Sequence, residues 1–240
     1  MIKITSKLKD VVTTYFNTNH YNSLSENTRR TYWYSLNGIC KKNPTMTIKR
    51  LTPRVCKKLY NGWCKDVSPS HANENYRILS LLLSYCIEIG VVDKNSMLSV
   101  VKSTVGRRGI SWTDDQVVSF CDTAFTNFKW RDVGLIALLS YKLNVRPIYL
   151  RRLTWEDVDL DEGVVTIFSD TIKLDENLKI MLMDQQEDWG FQKLVFPRFY
   201  KGMNKYVPYS HAQVSIIVKR IKVEAGLPDE LKLNDLRREK

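Results

Sequence analysis

Apolar positions in the first third of the chain recur at helical spacing. Leu8, Val11, Val12, Tyr15 and Phe16 follow the i, i+3, i+4, i+7, i+8 pattern, which predicts an amphipathic helix within residues 5–17. The polar stretch Asn22 to Asn27 interrupts it. Ser25 or Asn27 then offers a small polar cap for a second helix through Thr28, Tyr32, Tyr34, Leu36 and Ile39, which Pro44 stops. Pro53 to Trp63 and Ser70 to Ile89 read as two further helices, the second closed by Gly90.

Between Asn95 and Ser111 the periodicity fades, and Lys102, Arg107 and Arg108 crowd around Gly106 and Gly109 as in an exposed basic connector. Just beyond it, Thr113 and Gln116 have the spacing of a capping box, with Asp114 and Asp115 in the first turn. Arg131 to Leu143 carries Val133, Ile136, Ala137 and Tyr141 on one face and ends before Asn144, a residue that tolerates a left-handed cap. Tyr149 to Trp155 predicts a short helix. The β-branched run Val164 to Phe168 predicts a strand, and Lys179 to Met183, with Ile180 and Leu182, a second strand joined to it across Ser169 to Asn177. Tyr209 to Ala225 reads as a basic amphipathic helix closed by Gly226, and Leu233 to Lys240 opens another element. The expected fold class is mainly α, with an all-helical unit over residues 1–100, a basic linker over 101–111 and an α-rich unit with a small β-hairpin over 112–240.

Charge sharpens this division. The 240 residues carry 37 Lys and Arg against 26 Asp and Glu, a net of +11. Residues 1–110 hold a net +12 and the remainder −1. Such a concentration exceeds the net charge of about 2 to 8 that solubility favours in a small domain. It suits a polyanion, because each neutralised phosphate releases condensed counterions. A merely solvated basic surface is the bland alternative. Apolar residues at 43% argue against a disordered basic tail. The longest apolar stretch, Ile78 to Val92, is shorter than the roughly 20 residues that span a bilayer, and MIKITSKLKD lacks the apolar core of a signal peptide. Five cysteines without a CxxC pair and three scattered histidines point to a reduced, cytoplasmic setting and to no metal site or cofactor.

One segment carries a more specific signal. Leu143-Asn-Val-Arg146-Pro-Ile-Tyr149-Leu-Arg-Arg-Leu153-Thr-Trp155-Glu-Asp157-Val-Asp159 resembles the first-arginine box of the tyrosine recombinases, the phage-integrase family, with Trp155 nine residues after Arg146 and the acidic Asp157 and Asp159 following. Tyr149 stands where the family usually has Glu or Asp. Asn234-Asp235-Leu236-Arg237-Arg238 resembles the second box, His-x-x-Arg-His, at Arg237 but not at Asn234 or Arg238. The hairpin between the boxes would supply the family's lysine, with Lys173 the candidate and Lys179 an alternative. Leu24-Ser-Glu-Asn-Thr28, Tyr32 and the stretch Asn73 to Asn95 resemble the family's core-binding domain.

The resemblance implies a two-domain protein that grips double-stranded DNA and carries out site-specific recombination or integration for a phage or mobile element. Arg146 and Arg237 would clamp the scissile phosphate, since guanidinium is rigid, always charged and bidentate. Lys173 would protonate the departing 5′ oxygen. Asn234 could donate to a phosphate but cannot exchange a proton near neutrality. Arg29, Arg30, Lys102, Arg107 and Arg108 are the expected DNA-backbone contacts, which position without reading sequence. The family nucleophile, a tyrosine that forms a 3′-phosphotyrosine link, follows the second box by a few tens of residues, whereas the sequence stops three residues after Arg237. The runner-up is therefore a relative that binds recombination-site DNA without cutting it, monomeric as given where the family assembles on DNA. Without the boxes around it, Arg146 would better be read as a structural arginine paired with Asp157 or Asp159.

Overall fold

The computed structural model describes residues 2–106 and 109–236 and divides into two units, Met1–Arg107 and Arg108–Lys240. Polar caps set the helix starts in the first unit. It contains α1 (Leu8–Phe16), α2 (Asn19–Ser23), α3 (Glu26–Lys42), α4 (Pro53–Asp66) and α5 (Pro69–Glu88). Thr18, Ser25, Thr52 and Ser68 each accept a hydrogen bond from the backbone N–H three residues on, satisfying donors that the first helical turn leaves free. Proline follows the cap in α4 and α5, where its missing N–H costs nothing. Gly90 ends the last helix at φ 69°, a left-handed conformation that glycine adopts without a steric penalty.

Those helices bury Leu8, Val11, Tyr15, Leu36, Tyr60, Ile78, Leu79 and Leu82 in one core, with α5 packed against α1, α3 and α4. Asn95 closes the unit by donating to Ser80 and Ser84, and Met97 beyond it is fully buried. Farther along, Ser103 N–H donates to the Tyr60 hydroxyl at 2.7 Å, and Asn73 donates to the Ser103 carbonyl at 3.0 Å. The connector therefore starts as a strand of chain tied to α4 and α5.

The second unit contains α6 (Asp114–Phe125), α7 (Arg131–Leu143), α8 (Pro147–Leu150), α9 (Glu176–Trp189) and α10 (His211–Glu224), with strands β1 (Val158–Asp159), β2 (Val164–Ile167), β3 (Asp170–Lys173), β4 (Pro197–Tyr200) and β5 (Lys205–Pro208). The Thr113–Gln116 capping box forms at the start of α6. Helix α7 sits at the centre of the core, burying Val133, Leu135, Ile136, Ala137 and Leu139. It runs so close to α6 that a Cβ added at Gly134 would stand 2.6 Å from the Ala124 Cβ. Asn144 closes α7 at φ 55°.

Three expectations fail here. Lys179 to Met183 is not a returning strand but lies within α9, because Asp175 caps the helix by accepting from Leu178 N–H at 2.9 Å and the buried Leu178, Leu182 and Gln185 share a helical face. The strand that pairs with β2 is β3, reached by a tight Phe168-Ser169 turn rather than a long connection, with Val164 opposite Lys173 and Ile167 opposite Asp170. Tyr149 to Trp155 is not one helix. Pro147 starts α8 earlier, and a Thr154–Asp157 capping box restarts the chain as a 3-10 turn over Trp155–Asp157. The two sheets are antiparallel, in the orders β1-β2-β3 and β4-β5. Among the described residues no helix is long and apolar enough to cross a membrane.

Candidate nucleic-acid interface

Arg146 is held by a rigid corner. The left-handed Asn144 turns the chain out of α7, the buried Ser140 hydroxyl donates to the Val145 carbonyl at 2.7 Å, and Arg146 becomes the residue before Pro147, with its carbonyl accepting from Tyr149 N–H at 3.0 Å. Its side chain is exposed and, among the described residues, makes no ion pair or hydrogen bond. The acidic residues that could have neutralised it are engaged locally. Asp157 accepts from Thr154 N–H and Oγ1 at 3.0 and 2.6 Å, and Asp159 accepts from the N–H groups of Asp161 and Glu162. The corner thus presents an uncompensated guanidinium, an arrangement suited to an anionic oxygen pair.

A buried polar network that the sequence pattern does not reveal starts at the opposite end of α7, in its first turn. Asp132, 9% exposed, accepts from Gln185 Nε2 and from the Tyr209 hydroxyl, each at 3.0 Å. Burial pushes its carboxyl above the ordinary 3.8, and the two donors partly oppose this. Burial, with the adjacent Asp132 charge, likewise pushes the Tyr209 phenol above its usual range, and its hydroxyl is engaged as the donor to Asp132. Arg151, 7% exposed, donates to the Tyr209 carbonyl at 2.7 Å, and burial followed by the neighbouring Arg152 lowers its affinity for the proton. A carboxylate in the first turn of a largely apolar helix is ordinary in sequence and does not name these partners.

The other expected site residues take separate places. Lys173 is exposed at the end of β3, on the open face of the hairpin with Thr171 and at the far end from the Phe168-Ser169 tip. Asn234 is exposed in the 3-10 turn Leu233–Leu236, whose Leu233 and Leu236 are buried and which packs on α7. The approach to this turn is fixed from two sides. Trp112 Nε1 donates to the Lys232 carbonyl at 2.9 Å, and the ammonium of Lys222, 5% exposed, donates to the carbonyls of Asp229 and Leu231 at 2.6 and 2.9 Å. Although its helix is basic, the Lys222 ammonium is held inside by carbonyl oxygens. Among the described residues no hydrogen bond or ion pair joins Arg146, Lys173 and Asn234. Arg237, Arg107 and Arg108 lie outside the described residues.

In the first unit, Arg30 is exposed on α3 with its guanidinium 5.7 Å from the centre of the Tyr34 ring, beside an exposed Trp33. Arg29 is half-buried. Exposed Lys102 lies 5.3 Å from the Tyr76 ring centre, at a groove also lined by Asn73, Arg77 and Ser103. Arg77 is braced by Glu74 at 2.8 Å and by the Tyr32 hydroxyl at 2.9 Å, which keeps it extended along the same groove. Cations over the exposed Tyr34 ring and the half-buried Tyr76 ring give a surface with both charge and a flat apolar face. The buried thiols Cys40, Cys56 and Cys86 are pushed up to about 11, and Cys121 to about 12, by burial, so they are packing groups. Among the described residues no three His, Cys, Asp or Glu side chains gather as a cation site.

The fold has known counterparts. A lambda integrase dimer bound to a COC′ core site superposes with a TM-score of 0.77 at 17% identity, over 97% of this chain and 87% of that one. The fold is that of the tyrosine recombinases. Lambda integrase bound to DNA gives a TM-score of 0.73 at 18% identity over 97% of this chain and 84% of that one. The Tn1549 transposon integrase in complex with transposon right end DNA gives 0.74 at 13% identity, with the same coverages. No family model and no curated protein matches the chain in sequence. The expectation of a mainly α protein with a small β element is met by this tyrosine-recombinase architecture.

Proposed function

We propose that this protein binds double-stranded DNA in the manner of an integrase, with Arg146 and Arg237 holding a backbone phosphate. The observation that carries the reading is the exposed, uncompensated Arg146 guanidinium on a rigid corner, within a fold shared with integrases solved on DNA. Lys102, Arg29, Arg30, Arg107 and Arg108 add backbone contacts from the basic half, where the net charge of +12 concentrates. In the fuller form of the reading the protein cleaves and rejoins DNA at recombination sites of a phage or mobile element, through a 3′-phosphotyrosine link when a nucleophile is supplied, and assembles as an oligomer on its sites.

Binding without cutting is the second reading. It is favoured by the exposed Asn234, whose amide cannot move a proton, and by Lys173 standing at the base of its hairpin rather than the tip. Incubating the protein with nicked duplex and resolving the products under denaturing conditions separates the two. A protein–DNA adduct that survives denaturation supports strand transfer. Salt-sensitive retention of the duplex without an adduct supports binding alone, and no retention at low salt rejects both.

A further inference from the structure

We propose that Tyr149 and Phe168 form an aromatic ledge beside Arg146 that stacks an unpaired nucleobase of the bound DNA. Phe168 occupies the first position of the β2–β3 turn at φ 59°, a left-handed conformation in which a bulky side chain is strained and which glycine or asparagine adopts more readily. Packing does not explain its presence there, because the residue is 78% exposed. Its ring meets Tyr149 edge-on, with centroids 4.7 Å apart and planes at 81°. That contact ties the hairpin tip to α8, and Tyr149 N–H in turn donates to the Arg146 carbonyl. An aromatic pair with an exposed Phe168 ring is thereby anchored to the chain segment that carries Arg146, three residues beyond it.

A phosphate gripped by Arg146 would bring its own nucleotide against these rings. Aromatic side chains stack any base through its π-face, and they reach a base only when it has left the duplex stack. The ligand class is therefore DNA with locally unpaired bases, held by charge at the phosphate and by stacking at the base. The inference rests on the reading of Arg146 as a phosphate contact.

The test compares binding of the full chain to a fully paired duplex and to the same duplex carrying a short unpaired bubble. Wild type is expected to prefer the bubble. Phe168→Asn, which suits the left-handed backbone and keeps the turn, and Tyr149→Ala should each weaken bubble binding by roughly 5- to 150-fold, the range of one lost base stack. Neither should change paired-duplex affinity appreciably, and Phe168→Trp should keep the preference. Equal binding of both duplexes by wild type, or a preference that survives Phe168→Asn, overturns the ledge while leaving the DNA-binding reading intact if Arg146→Ala still weakens the paired duplex. Equal losses on both duplexes from Phe168→Asn also overturn it, since they would make the ring a groove wedge. Binding of neither duplex at low salt removes the underlying reading and the ledge with it.

Discussion

The two arginines Arg146 and Arg151 stand five residues apart and live in opposite environments. The first projects from a corner into solvent without a partner, while the second is buried and bonded to the Tyr209 carbonyl, alongside the Asp132, Gln185 and Tyr209 network. Their charges are identical, so the difference lies in what the backbone does around them. Arg146 stands between the left-handed Asn144 and Pro147 and is exposed, whereas Arg151, at the end of the short α8, turns inward to the Tyr209 carbonyl. The buried network engages its polar groups with one another and holds a shape. The exposed corner leaves its charge unpartnered among the described residues, which is what an external anion needs.

Substitutions can break this contrast. The largest effect is expected from Asp132→Ala, which removes the acceptor shared by the Tyr209 hydroxyl and Gln185 Nε2 and should lower stability by roughly 1–3 kcal/mol in urea unfolding. Asp132→Asn sharpens the point through pH. Because the folded protein holds the Asp132 proton more tightly than the unfolded chain, stability falls as pH rises from about the ordinary 3.8 through the raised folded value, and the penalty persists above it. The Asn variant should flatten that stretch of the stability–pH curve. Tyr209→Phe, which deletes one donor to the carboxylate, should cost about 1 kcal/mol and raise the Asp132 proton affinity further, extending the same stretch to higher pH. Arg146→Ala should change stability by less than about 0.5 kcal/mol, since it has no contact to lose. A stability loss from Arg146→Ala as large as that from Asp132→Ala would erase the distinction between the exposed corner and the buried network.

Much of the helical frame was legible because local chemistry and packing agree there. The Arg131–Leu143 helix and its Asn144 cap, the Thr113–Gln116 capping box and the glycine ends at Gly90 and Gly226 all follow from groups within a few residues of each other. Alternating apolar residues at Ile180 and Leu182 misled, since a short run satisfies strand and helix periods alike; the choice was made by the Asp175 cap and by burial of Leu178 and Gln185. The β4–β5 hairpin gave no signal because prolines flank it and most of its positions stay exposed. For the candidate site, the position of Arg146 was legible through its resemblance to a known box, whereas its lack of a partner was not. Whether Asp157 and Asp159 pair with Arg146 or with nearby N–H groups depends on turns that spacing does not describe. The buried Asp132 network joins residues 53 and 77 positions apart and was invisible for the same reason.

The most direct test of the account is the salt dependence of duplex binding by wild type and Arg146→Ala, measured alongside urea unfolding of both. Binding of the wild-type protein should fall linearly on a log–log plot against salt, and the variant should bind more weakly with a slope reduced by about one phosphate contact and an unchanged unfolding midpoint. Identical affinity and slope in the two proteins would contradict the assignment of Arg146 to a DNA phosphate.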